Sequence, residues 1–473
     1  MTRTRWTLHA AAVATLAGTL AAGCATAPDA TPPALRAHAW HAPLPHGGDA
    51  AALRDWWSRF DDPLLPALID QTQRTSPTLA QAAARLAQAR AGLRQARSAL
   101  WPSLDASLSA GRQRNELQAP VPFSTAGVTG QLGWEIDLFG GVRHGMAAAE
   151  ARAEGSALAW HDARVSLAAE TASLYIGYRA CEALAALYAE DARSQGRNAD
   201  LTRAKVNAGF DAPAVGALAT AGAAEAATRL VAQRAECDAA VKAMVALTGL
   251  QEPALRQRLG ERAARLPLPA AFAVQTLPAQ TLAQRPDIAA AERELRAAAG
   301  DVGVADALRY PRLLLGGSIG RSAVRSGDVT TEGTSWSIGP QVDIPLFDAG
   351  RRRAGLDAAK ARFDEARAAY EQRVRQAVRE VEEALVRLDA AERRQADAER
   401  AAQGYREHFA AAQKRWEVGA GSLIDMEDAR RLALNAQAVL VGVQRERVAA
   451  WVALYRAVGG GWEPAAEDMK VAR

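Results

Sequence analysis

Beyond Cys24, this 473-residue chain has no run of roughly 18 consecutive apolar residues, the length that a membrane-spanning helix needs. Any passage through a bilayer must therefore be made by strands. Charge of one sign is equally scarce. Lys and Arg number 57 against 53 Asp and Glu, a formal net charge of +4, and Arg3 and Arg5 at the start supply two of those charges. This is no nucleic-acid footprint. Acids and bases are mixed along stretches such as "RQAVREVEEALVRLDAAERR", the pattern of solvated helix faces. The seven histidines make no zinc set: His38 and His41 are three apart, but they lie in a proline-rich lead without partner ligands. Neither a metal site nor a cofactor is assigned.

What is present begins with a leader. Arg3 and Arg5 precede an apolar run from Leu8 to Ala22 that closes on small residues, the pattern of a secretory signal peptide over residues 1–23. Ala22 and Gly23 before Cys24 resemble the cleavage box of a bacterial lipoprotein, with Ala21 where a leucine is usual. The resemblance implies a diacylated Cys24 at the new N-terminus, and an ordinary signal peptide would leave a free thiol there. Ala25 in place of an aspartate resembles an outer-membrane address. Acyl chains would add anchoring of about 0.8 kcal/mol per buried methylene.

The chain also repeats itself. Pro77, Pro102 and Gly111–Arg112 recur 209 residues later as Pro286, Pro311 and Gly320–Arg321, and "AEARAE" from Ala149, Gly209 and Gly249 recur at a shift of 210 as "AKARFD" from Ala359, Gly419 and Gly459. The fold class is mainly α with membrane β, built as two copies of one unit. Each copy reads helix, strand, strand, very long helix, helix. A first repeat is expected over 51–250 and a second over 285–460. An extended, lipidated lead (24–50), a linker (251–284) and a tail (461–473) complete the chain.

Strands are expected at about 103–112, 128–139, 312–321 and 335–346, each with period-two alternation, with a polar loop carrying Pro120 and Pro122 inside the first pair and the loop "RSGDVTTEG" inside the second. Leu132, Trp134 and Ile136 oppose Gln131, Glu135 and Asp137, and Trp336 and Ile338 oppose Ser337 and Gly339. Ten-residue amphipathic strands suit a membrane barrel with its apolar face in lipid and its polar face towards a wet lumen. Four strands cannot close, and an open edge in lipid leaves backbone groups unpaired at several kcal/mol each. Two copies would give eight strands and a filled interior, whereas three would give twelve and a lumen. Polar inner faces favour three. After the second and fourth strands the chain runs some 65 residues without proline, enough for a helix of about 100 Å. Phe363, Tyr370, Val374, Val378, Val381, Leu385 and Leu388 form a coiled-coil stripe along the later one.

The segments "WWSRFDDPLLPALID" from Trp56, "LFDAGRRR" from Leu346, "VGAGSLIDMEDA" from Val418 and "ALYRAVGGGW" from Ala453 resemble the TolC-like outer-membrane factors, in particular their NodT-type lipoprotein branch. The resemblance implies a homotrimer with a 12-stranded barrel in the outer membrane, continued by a 12-helix periplasmic tube. It further implies a periplasmic adaptor (membrane fusion protein) and an inner-membrane RND-type transporter as partners, with drugs or other small toxic molecules as cargo. A type I protein-secretion duct uses the same scaffold. An enzyme is the rival class, because "GGSIG" around Ser318 matches the nucleophile-elbow pattern. The strand continues past it, however, and His408 is the only histidine downstream. A purely structural periplasmic coiled coil would leave the amphipathic strands unexplained.

Two further expectations concern the hairpins. Cys181 and Cys237 are equidistant from the turn at Gly209, which sets them at matching height for a disulfide in an oxidising compartment, although two buried thiols would also suit. Asp425 and Asp428 are three apart, hence on one helix face. In a trimer they would stack two carboxylate rings at the closed tip, and such rings select cations. Similar family members carry paired aspartates at these two places and an aromatic tether where Trp416 stands. Gly421 replaces an arginine that tethers the tip in some relatives. The first copy has no acid at either matching position.

Overall fold

The computed structural model describes residues 27–32, 40–42, 44, 53, 55–115, 119–269, 271 and 278–462. The expected leader, Cys24 and all but the first two residues of the tail lie outside them. A 3-10 turn at Trp56–Arg59 leads to α1 (Leu64–Thr75), α2 (Pro77–Ser98), β1 (Ser103–Asn115), β2 (Ala119–Ile136), α3 (Gly141–Asn207), α4 (Pro213–Thr248), α5 (Glu252–Gly260) and α6 (Pro278–Ala283). Then follow α7 (Pro286–Ala307), β3 (Arg312–Ser326), β4 (Val329–Asp343), α8 (Arg351–Glu417) and α9 (Leu423–Ala457). No helix among the described residues is long and apolar enough to cross a membrane.

The strands depart from expectation in length. β2 begins at Ala119, so Pro120 and Pro122, expected in a loop, belong to the strand. They fall where the β1–β2 register shifts between Gln113 and Asn115, and a disrupted ladder tolerates prolines that lack a donor. "RSGDVTTEG", also expected as a loop, is strand except for Gly327 and Asp328. Gly327 takes the positive φ of 57° that the two-residue turn requires. β4 stops at Asp343, before Pro345, instead of reaching 346.

α3 and α8 are 67 residues each, about 100 Å. Their C-termini close at Gly209 and Gly419, where φ is 80° and 76°. In each case the following N–H returns to the last turn, Phe210 to the Lys205 carbonyl and Ala420 to that of Arg415, the closure typical of a helix ending on glycine. The chain then reverses into α4 and α9, which run back along the long helices. Small residues let the helices approach. A Cβ at Gly303 would lie 2.5 Å from the His144 ring, and one at Gly300 would lie 2.9 Å from the Ala148 Cβ, so α7 meets α3 almost backbone to backbone.

The main core sits at mid-height. Trp56 is fully buried and stacks on Tyr455 with centroids 5.1 Å apart. Leu65, Leu68, Tyr175, Ile176, Met244, Val381, Leu385, Leu388 and Trp451 fill the space around them. The span 251–284, expected as linker, contains α5 and α6, and Leu255 and Leu259 of α5 are in this core. Trp40 and Leu44 of the lead pack on it from outside, while Glu382 accepts the backbone N–H of His41 and Ala42 at 2.6 and 2.8 Å. Below it, Asp62 accepts from the Tyr175 hydroxyl, which accepts from Arg179 Nε at 2.9 Å.

One arginine joins the halves of the second repeat. Arg285 precedes α7 and donates to the carbonyl of Ala457, the last residue of α9, at 2.9 Å. Its other nitrogens pair with Asp287 at 2.8 Å and Glu380 at 2.9 Å. Burial by itself would raise the Asp287 carboxyl, but the hydrogen bonds and charge of Arg285 outweigh it and hold that group below its ordinary value. Its folded value being depressed, the contribution to stability is present above the unfolded value of about 3.9 and is lost as pH falls through the folded one. Arg285→Ala leaves the largely buried Asp287 carboxylate without its cationic partner and Glu380 with only the Gln376 amide, and is expected to cost about 3 kcal/mol, measured as a lowered thermal midpoint at pH 7 that converges on wild type in acid.

Candidate functional site: a two-faced sheet above a helical tip

The four strands form one antiparallel sheet in the order β1-β2-β3-β4, leaving β1 and β4 as open edges. Register decides which side chains share a face. Leu104 opposes Leu132, Leu132 opposes Gly317 and Gly317 opposes Ile338. Successive residues alternate, so Leu108, Val128, Trp134, Ile136, Leu313, Leu315, Ile319, Trp336 and Val342 stand on that same face. Leu132, Trp134, Ile136, Trp336 and Ile338 are thus brought to one surface, and Trp336 is 74% and Ile338 66% exposed. From Gly130 to Ile136 this row is uninterrupted by charge for about 20 Å along the strand, and beside Val128 and Ala126 it meets Arg321 and Glu332. At its far end the face turns charged, with Arg112, Arg325 and an Arg321–Glu332 ion pair at 2.8 Å.

The opposite face carries Ser103, Asp105, Ser107, Thr129, Gln131, Ser318, Ser322, Ser335 and Ser337, by the same register. Ser318 stands mid-strand with its hydroxyl 2.9 Å from that of Ser337, so the strand-to-helix turn that a nucleophile elbow requires is absent there. Glu135 pairs with Arg312 across the β2–β3 seam, Nε to Oε1 at 3.2 Å. Asp137, expected in the polar row with Glu135, lies beyond β2. Its carboxylate accepts the N–H groups of Val142 and Arg143 at 3.1 and 3.0 Å and so caps the open donors at the start of α3. Asp348 does the same for α8, accepting from Gly350 at 3.1 Å and Arg352 at 3.3 Å.

At the other end, the turn after α8 positions the expected gate residues. Ser422 caps α9 by accepting the N–H of Asp425 at 3.0 Å. Asp425 and Asp428 are both exposed, and Asp428 accepts from Arg431 at 3.0 Å. Trp416 is buried against Ala199, Ala219, Leu423 and Met426. The Lys205 ammonium lies 5.0 Å from its ring centroid. The tryptophan therefore binds the second hairpin to the first within one chain. Gly421 fits because a Cβ there would come 3.2 Å from that of Arg415.

A turn higher is a buried charge that the sequence reading overlooked. Arg430 is 5% exposed, and all three of its guanidinium nitrogens are buried without a hydrogen-bond partner. Asp191 and Glu427 stand 3.9 and 3.7 Å away, the Phe409 ring lies 5.1 Å from the guanidinium, and a cavity of about 280 Å³ adjoins it. Burial lowers the Arg430 pKa and raises that of Asp191. The signal was available, since 423, 426, 430 and 433 follow the three-four spacing of a coiled-coil core and an arginine occupies one of its places.

The chain's remaining two cysteines meet across the first hairpin. Cys181 and Cys237 are joined by a disulfide with Cα atoms 5.6 Å apart, inside the usual range for such bridges.

Comparison with known proteins gives this two-faced, edge-open sheet and its long helices a family. A family model for the outer membrane efflux protein matches residues 68–250 and 277–460. The chain belongs to the outer membrane efflux protein family. Among its relatives, the probable efflux pump outer membrane protein TtgC of Pseudomonas putida is 31% identical over 461 residues, 93% of each chain. Nodulation protein T of Rhizobium leguminosarum bv. trifolii is 28% identical, over 95% of this chain and 97% of its own. The solved structure of the outer-membrane channel OprN superposes with a TM-score of 0.82 at 29% identity, covering 93% of this chain and all of that one. As a member of this family the chain is an outer-membrane efflux component that extends into the periplasm.

The bridge is open to direct test: alkylation of the denatured, unreduced protein is expected to spare Cys181 and Cys237, and modification of both would disprove it. Replacing the pair by serine is expected to lower stability by about 4 kcal/mol, from the loop of 55 residues it closes, read as a lowered midpoint in denaturant.

Proposed function

We propose that three copies of this chain close into a 12-stranded outer-membrane barrel continued by a 12-helix periplasmic tube, the passive exit duct of a tripartite pump. The observation that carries this reading is the sheet: one largely apolar face ending in charged residues, one face of serines, threonines and acids, and two open edges. In lipid those edges must pair, and a second and third copy supply the partners. Leu132, Trp134, Ile136, Trp336 and Ile338 then face lipid, and Asp105, Gln131 and Glu135 face the lumen. The internal repeat makes each chain contribute two similar sectors. Cys24 carries the lipid that supplements this anchoring. A periplasmic adaptor and an inner-membrane RND-type transporter complete the pump. Relatives named for efflux favour small toxic molecules as cargo over polypeptides, and no catalytic step is assigned to the chain.

The tip is the closed end. Asp425 and Asp428 from three chains form two rings of carboxylates, and Trp416 holds the hairpins together behind them. In planar bilayers the purified protein is expected to form trimers that dissociate on heating and to conduct ions with a preference for cations. Asp425→Ala with Asp428→Ala is expected to weaken that preference and to lessen block by divalent cations; unchanged selectivity in an intact trimer would remove these residues from the gate. Cys24→Ser is expected to abolish incorporation of labelled palmitate while trimers still form, and persistent labelling would contradict the assigned anchor.

A further inference from the structure

Where β2 gives way to α3, Phe139 stacks on Tyr310 with ring centroids 4.9 Å apart and planes within 12°. Tyr310 stands before Pro311 and β3, so this pair closes the seam between the second strand and the third at the point where sheet passes into helices. The repeat duplicates both partners. Trp101–Pro102 stands 209 residues before Tyr310–Pro311, at the start of β1, and the Leu138–Phe139 of the first copy recurs as Leu346–Phe347 after β4. The duplicates cannot meet within one chain, because β1 and β4 are the two outer strands. Both are left bare: Trp101 is 74% and Phe347 90% exposed.

We infer that Phe347 of one copy stacks on Trp101 of the next, closing the seam between protomers as Phe139 and Tyr310 close the seam within each. This deepens the trimeric reading above and rests on it. The geometry is permissive on each count. β4 and β1 of a neighbour run antiparallel, as β2 and β3 do, so the end of β4 meets the start of β1. Even-numbered residues of β1 and β4 share the apolar face, so closure carries that face unbroken across the seam. Two large rings exposed to water are an association surface, and their occupant is identified by the internal pair that they copy. The junction of barrel and tube then carries six aromatic pairs, three within chains and three between them.

Cysteine crosslinking in native outer membranes tests this. Phe139→Cys with Tyr310→Cys serves as the internal standard and should oxidise to a bridge within one chain. Trp101→Cys with Phe347→Cys should give crosslinked dimers and trimers on non-reducing gels, absent from either single variant. Phe347→Ala should lower the temperature at which the trimer dissociates in detergent, and Phe347→Tyr should restore it. If the trimer forms and the internal pair crosslinks while Trp101→Cys with Phe347→Cys does not, the seam contact is overturned and the trimer stands. Absence of any trimer by native mass measurement would overturn both.

Discussion

Everything in this molecule above its helices answers to one constraint: a backbone N–H or C=O in hydrocarbon must find a partner in protein. The sheet satisfies its inner ladders between β1, β2, β3 and β4 and leaves two rows of groups open at its edges. A chain so built is incomplete in lipid, and the assembly proposed above would supply the partners that its edges lack. The aromatic pair at the β2–β3 seam, the carboxylate caps of Asp137 and Asp348, and the Glu135–Arg312 pair all lie at the same level. This is where strand geometry must be converted to helix geometry and where unpaired donors would otherwise collect.

Below that level the chain distributes its rigidity unevenly. At mid-height, large rings and aliphatics pack densely around Trp56, and Arg285 satisfies three acceptors, one each on α7, α8 and α9. Towards the tip the apolar cluster shrinks to Ala199, Ala219, Trp416, Leu423 and Met426, beside an arginine whose nitrogens find no hydrogen bond. Local opening draws on regions with few apolar contacts, and the tip has fewer of them than the core around Trp56. The equatorial core holds the long helices in register while their far ends carry comparatively little apolar packing.

Much of this was legible beforehand, for identifiable reasons. Period-two alternation around Trp134 and Trp336 revealed strands because one face is apolar and the other polar. Proline-free length revealed α3 and α8, and glycine punctuation placed their ends at 209 and 419. The errors lay where the pattern carried no hydrophobic contrast. Strand segments beyond the apolar rows, such as "RSGDVTTEG", pair through their backbones whatever their side chains, so alternation could not report them. Pro120 and Pro122 read as loop because the register shift that accommodates them exists only in the ladder.

The sequence by itself determined the period of each segment, the duplication and the two-faced character of the strands, since these depend on residue order alone. Only the tertiary structure decided the register that sets Leu132 opposite Gly317, the release of Asp137 from the strand to cap a helix, the burial of Arg430 without a hydrogen bond, and the stacking of Phe139 on Tyr310 across 171 residues of chain. Each of these is a contact between segments distant in sequence. Its energy depends on how two surfaces fit, and no local pattern of residues specifies that fit.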